Sequence, residues 1–189
     1  MHKTILGLVL FLLSFATANG EPVRYLLAPD KSTVGFTYQY NGNPTKGTMP
    51  VASAQLTIDF AALGKSTVQV VLNARNARAG FIFATEALRG KSVLDVANHP
   101  QISFVSTQVS RSGNGAKIEG MVTIRGVTRP LTLMAGFYRL KGSDPTDLSH
   151  LSILLTGNIS RSGFGATGYP DMVGEQIDLR ILARIHQIN

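Results

Sequence analysis

Residues 117–139, KIEGMVTIRGVTRPLTLMAGFYR, read as two β-strands folded back on each other. Ile118, Val122 and Ile124 share one face, with Gly120 between them, while Lys117, Glu119, Thr123 and Arg125 share the other. Past Arg125-Gly126, a period of two resumes through Val127, Leu131, Leu133, Ala135 and Phe137. A turn glycine takes φ > 0 at little cost, so Arg125-Gly126 is placed as a tight hairpin turn. The apolar face of this hairpin then needs something to bury it.

The same alternation recurs outward in both directions. Val34, Phe36, Tyr38 and Tyr40 alternate with polar neighbours, as do Leu56, Ile58 and Phe60. Val68, Val70 and Leu72 follow, with Val71 the exception, and Ile102 and Phe104 open another strand. Leu151, Ile153, Leu155 and Ile159 line a later one, and Ile177, Leu179, Ile181, Ala183 and Ile185 the last. Turn signals separate them at 41–44, 62–65, 112–115 and 141–145. So many short segments with one wet face predict antiparallel β-structure, about eight or nine strands in all. Residues 85–98 break the pattern: Gly90 divides helix formers, Ser92 offers a cap and Pro100 ends the run, which predicts one or two short helices. The fold expected is all-β, an eight-stranded antiparallel barrel, with a two-sheet sandwich as the alternative. Eight strands close into a barrel whose interior either packs solid or holds one small ligand.

Of the 189 residues, the first twenty read as a separate secretory signal, leaving one domain over 21–189. Lys3, the apolar run Ile5 to Phe15 and the small residues up to Gly20 supply its three parts, with cleavage after Ala18 or Gly20. The mature chain is therefore expected in the periplasm or outside the cell. It has no cysteine, so its stability must come from its core. The net charge of +7 is dispersed rather than clustered. That allows a transient contact with anionic membrane surface and argues against nucleic acid, since basic and aromatic residues do not interleave along one face. An outer-membrane barrel needs an outward apolar band, where this pattern has a polar face.

Residues suited to catalysis do not assemble in the sequence. Residues 163–168, GFGATG, match G-x-G-x-x-G, but Tyr169-Pro170-Asp171 follows where a phosphate-binding helix would have to begin. A flexible loop between antiparallel strands is the reading here. His99, His150 and His186 have no histidine or cysteine at ligand spacing, and no G-x-S-x-G elbow occurs. No metal, no cofactor and no enzyme activity are expected. The positive signal is apolar. Phe36, Tyr38, Phe104, Val122, Ile124, Leu133 and Phe137 are candidates to line an interior, and Phe81, Phe83, Phe164 and Met172 to sit at its mouth. Arg161 is a candidate for a polar headgroup, against the plainer role of a structural pairing arginine.

Residues 120–133, GMVTIRGVTRPLTL, resemble the central signature of the YceI-like family of exported, lipocalin-like bacterial proteins that bind polyisoprenoid lipids. Residues 25–36 resemble its first strand, 88–104 its helical segment and following strand, 161–173 its Arg-x-x-Phe-Gly loop, and 177–185 its closing strand. The resemblance implies an extended barrel holding an isoprenoid or isoprenoid-quinone-like chain. Departures from the pattern stand at Lys31 and Tyr40, where family members often carry histidine, and in the missing Arg-Asp-x-His of the helical segment. They bear on the polar end of any ligand.

Energetics suit a carrier. At about 0.8 kcal/mol per buried CH₂, a five-carbon unit contributes roughly 3 kcal/mol. Micromolar binding needs about −8.2 kcal/mol after ordering costs of roughly 4–15 kcal/mol, so roughly four to eight buried units suffice. The expectation is a lipid-binding or lipid-transport barrel. A solid barrel that serves structure or interaction is the alternative, and a homodimer stays open.

Overall fold

The computed structural model describes residues 21–139 and 142–188; the segment read as a signal lies outside the described residues. Ten strands run β1 (Val23–Leu27), β2 (Thr33–Tyr40), β3 (Asn43–Met49), β4 (Val51–Ile58), β5 (Thr67–Asn73), β6 (Gln101–Ser112), β7 (Gly115–Ile124), β8 (Val127–Arg139), β9 (His150–Ser160) and β10 (Val173–Gln187). Among the described residues one α-helix, α1 (Ile82–Arg89), lies between β5 and β6.

The pairing order β1-β4-β5-β6-β7-β8-β9-β10 returns to β1 and closes an eight-stranded antiparallel ring. The β2–β3 hairpin continues this wall beyond the ring, with β2 lying along β10 from Val173 to Leu182 and β1 along its end. The sequence reads this region as a single first strand. A 3-10 turn at Pro29–Lys31 splits it, held by Ser32, whose hydroxyl donates to the Ala28 carbonyl at 2.7 Å and accepts the Arg184 N–H at 3.0 Å. β3 is a strand that the turn reading of 41–44 hides. The turn proper is Asn41-Gly42, with φ of 48° and 75°, a type I′ geometry matched to strand twist. Asn43 and Pro44 already belong to the strand, and proline is tolerated because β3 has an edge without a continuous ladder.

Arg125 and Gly126 make a second type I′ turn, with φ of 55° and 74°. A left-handed arginine is costly. Here its guanidinium is tied down, donating to the Lys91 carbonyl at 2.9 Å and to the Gly165 carbonyl.

The helical region holds one of the one or two short helices expected, set earlier in the chain than 85–98. A single helix begins at Ile82 and stops at Gly90, whose N–H meets the Glu86 and Ala87 carbonyls. Residues 91–98 coil back instead of forming a second helix: Asp95 takes φ 48°, and the N–H groups of Leu94, Asp95 and Val96 return to Leu88, Gly90 and Arg89. Ser92 caps nothing; its carbonyl accepts the Gly168 N–H at 2.8 Å. Thr48 and Arg78 exchange two backbone hydrogen bonds, which lays the chain ahead of α1 along the open edge of β3.

Candidate functional site

Inward residues at matching register form belts around the barrel. Ala54 faces Val70, Val70 faces Phe104, and Phe104 faces Val122 across β4 to β7. Phe36 faces Leu179 across β2 and β10. These belts enclose a cavity of about 950 Å³. That is at the upper end of the roughly 300–1,000 Å³ range of small-molecule sites.

Among the described residues on its wall, Glu86, Lys91 and Arg161 are the charged ones, and all three lie on α1, just after it, or in the β9–β10 connection. That end is therefore the mouth. At the opposite end, Tyr25, Phe60 and Phe137 form an aromatic plug, with ring centroids 6.2 Å and 5.4 Å apart for the successive pairs. Tyr25 is anchored there through its hydroxyl, which donates to the Leu148 carbonyl at 3.1 Å.

Polar groups on the wall are largely paired within the chain. The Tyr38 hydroxyl donates to the Ala79 carbonyl at 2.9 Å, and burial, reinforced by Tyr40, pushes its phenol above the ordinary value. Ser66 accepts the Asp59 N–H at 3.0 Å. The interior therefore offers surface area rather than hydrogen-bond recognition.

All twelve residues singled out from the sequence line this cavity. Phe36, Tyr38, Phe104, Val122, Ile124 and Leu133 lie on the wall, and Phe137 on its aromatic floor. Phe81, Phe83 and Met172 stand exposed at the mouth, whereas Phe164 is buried. Arg161 is buried too, and its guanidinium serves the chain: it donates to Ala166 and Gly168 carbonyls at 2.7 Å each, to Val173 at 3.0 Å and to Gly174 at 3.1 Å. The plainer role weighed for it is the one the geometry supports. Arg125 and Arg129 hold the same loop through the Gly165 and Gly163 carbonyls. The glycine-rich 163–168 stretch is thus the loop between antiparallel β9 and β10, held by these arginines and carrying Phe164 inward.

Sequence reasoning did not name Ala54, Val70, Ile153 or Leu179 as lining, although their alternation carried the signal. Spacing along the sequence also pairs none of the histidines. His150 and His186 are cross-strand partners with stacked rings 6.1 Å apart. Among the described residues, no group of three or more His, Cys, Asp or Glu side chains comes together.

Fold and cavity define a small antiparallel barrel built around an apolar interior with one wet, helix-flanked end. The chain belongs to the YceI-like family, whose domain matches residues 25–185. It is 28% identical over 182 residues to a UPF0312 protein of Yersinia pestis, covering 95% of this chain and 94% of that one. A UPF0312 protein of Enterobacter sp. (strain 638) is 28% identical over 184 residues, covering 96% and 95%. Among solved structures, BcnA of Burkholderia cenocepacia superposes with a TM-score of 0.73 at 20% identity, covering 84% of this chain and 98% of that one. The YCEI protein of Campylobacter jejuni gives 0.60 at 17% identity, covering 76% and 84%.

Proposed function

We propose that this protein binds and carries an isoprenoid or similar long-chain amphiphile in its barrel, as an exported protein acting after removal of residues 1–20. The observation that carries the reading is the cavity of about 950 Å³. Its deep wall is apolar, its charges gather at the mouth, and its polar groups are largely occupied. A chain held by buried area needs no charged anchor, and such a site takes tails by length more than by headgroup. The same cavity weighs against a solid barrel that serves only as structure.

The test is to express the chain with its own N-terminal segment, recover it from the exported fraction, and analyse it by native mass spectrometry and organic extraction. A prenyl-chain lipid near one per barrel is the expected result. Protein that carries no organic molecule, and takes up none when offered isoprenoid quinone in detergent, would sink the proposal.

A further inference from the structure

The start of α1 carries two of the most exposed large apolar side chains in the described residues, Ile82 at 76% and Phe83 at 80%. Water solvates neither well, and an exposed pair at a helix start is not needed to pack the barrel. The pair does not stand alone. Phe81, Tyr169 and Met172 are also exposed, and the chain brings them to the same end. The rings of Phe81 and Tyr40 lie 5.3 Å apart, and the Asn41 N–H meets the Met172 carbonyl at 2.8 Å. Phe81, Phe83, Tyr169 and Met172 line the cavity as well as facing solvent. The apolar surface is therefore continuous from the interior to the outside of the molecule.

Beside this rim runs a shallow groove lined by Phe81, Ile82, Lys46, Arg78 and Arg89, with Glu86 as its acid. Glu86 is engaged by Arg89 at 3.6 Å, and Lys46 and Arg78 are exposed. Lys91 lies on the rim itself, and Asp171 is the acid beside Met172. Cations thus outnumber acids around an apolar knob, the pattern by which surface segments settle into an anionic lipid interface.

We infer that this rim docks the protein onto an anionic phospholipid bilayer, with Ile82 and Phe83 inserted among the acyl chains and Lys46 and Arg78 on the headgroups. Docked this way, the mouth opens against the bilayer, and a lipid enters the cavity without its tail crossing water. The purpose of docking rests on the carrier reading; the docking itself stands on the rim.

The test is co-sedimentation of the mature chain with vesicles of phosphatidylcholine alone and of phosphatidylcholine mixed with phosphatidylglycerol. Wild type is expected to pellet with the mixed vesicles, and less so as salt rises. Ile82→Glu, at a position outside the cavity wall, lowers that partition by about tenfold or more while the melting temperature is kept. Lys46→Glu combined with Arg78→Glu removes the preference for phosphatidylglycerol. In parallel, filling of the barrel from detergent micelles is read by native mass spectrometry. Ile82→Glu fills from micelles as wild type does, because no bilayer is involved. Wild type that fails to pellet, Ile82→Glu that pellets equally, or neutral vesicles that bind as well as mixed ones would each overturn the docking. So would self-association through Ile82 in the absence of vesicles. Vesicle binding with these dependences, in a protein that never fills, would leave the docking standing and remove the carrier reading.

Discussion

Arg161 directs its guanidinium at four carbonyls between Ala166 and Gly174, and so fixes the chain that covers one side of the mouth. A planar fork reaches several acceptors at once, whereas an ammonium on a flexible stem does not. Arg161→Lys keeps the charge and loses the fork, and leaves buried carbonyls unmatched. We expect it to cost ~2–4 kcal/mol, read as a fall in urea midpoint at constant slope; a midpoint within error of wild type would show the clamp to be idle. Glu175 sits on the other strand of the same connection. Its carboxylate accepts from the Ser160 hydroxyl and from Ser162 through both hydroxyl and N–H, and these bonds hold its pKa below the ordinary 4.5. A carboxyl lowered in the folded state stabilises fully above its unfolded pKa, and that contribution is lost as pH falls through the folded value. Stability measured against pH should therefore drop on the acid side in wild type and drop less in Glu175→Gln; parallel curves would count against the assignment. The sequence offered a structural role for Arg161 but not its partners, because a backbone carbonyl leaves no mark in the identity of its residue, and it offered nothing for Glu175.

At the scale of elements, β6, β7 and β8 show what periodicity can and cannot convey. Alternation placed Phe104, Val122, Ile124 and Leu133 on one face, and the register keeps them there. The Arg125-Gly126 turn was legible because only a few dipeptides bridge twisted strands in two residues. The helix was legible only in part, since its first turn presents Ile82 and Phe83 to solvent and so imitates no amphipathic pattern. β3 was hidden by Pro44, which reads as a turn and sits in an edge strand. Gly120 looked like a gap in the hairpin face, and the structure gives its reason. A side chain there would press its first carbon on the Val105 backbone carbonyl and bring it to 2.5 Å from Phe104 Cζ and 2.7 Å from Cε2, so a fixed strand and a movable ring both close the position. Gly120→Val should cost roughly 1–3 kcal/mol by overpacking. Combined with Phe104→Leu it should cost less than the sum of the two, since the ring is part of the clash. Strict additivity in that double-mutant cycle would mean the ring does not cover the position.

For the molecule as a whole, closure of the ring and emptiness of its centre are separate properties. Alternation announces an inward face; it says nothing about whether facing side chains meet across the middle. Ala54 is where this can be tested, a small side chain on the cavity wall at the same belt as Val70, Phe104 and Val122. In a solid barrel, Ala54→Phe would overpack the core and lower stability. In a barrel built around a ligand, the new ring occupies space that the ligand otherwise fills, so the variant keeps its melting temperature and loses its passenger. The complementary measurement is on the wild type. A ligand that binds only the folded state adds about 2.7 kcal/mol when present at a hundred times its Kd, which for a domain of this size is roughly 5–10 °C in Tm. Organic extraction should lower Tm by that amount and reloading should restore it, while Ala54→Phe should respond to neither. Extracted and reloaded wild type melting at the same temperature, with Ala54→Phe melting well below both, would mean that the barrel is filled by its own side chains and that nothing is carried in it.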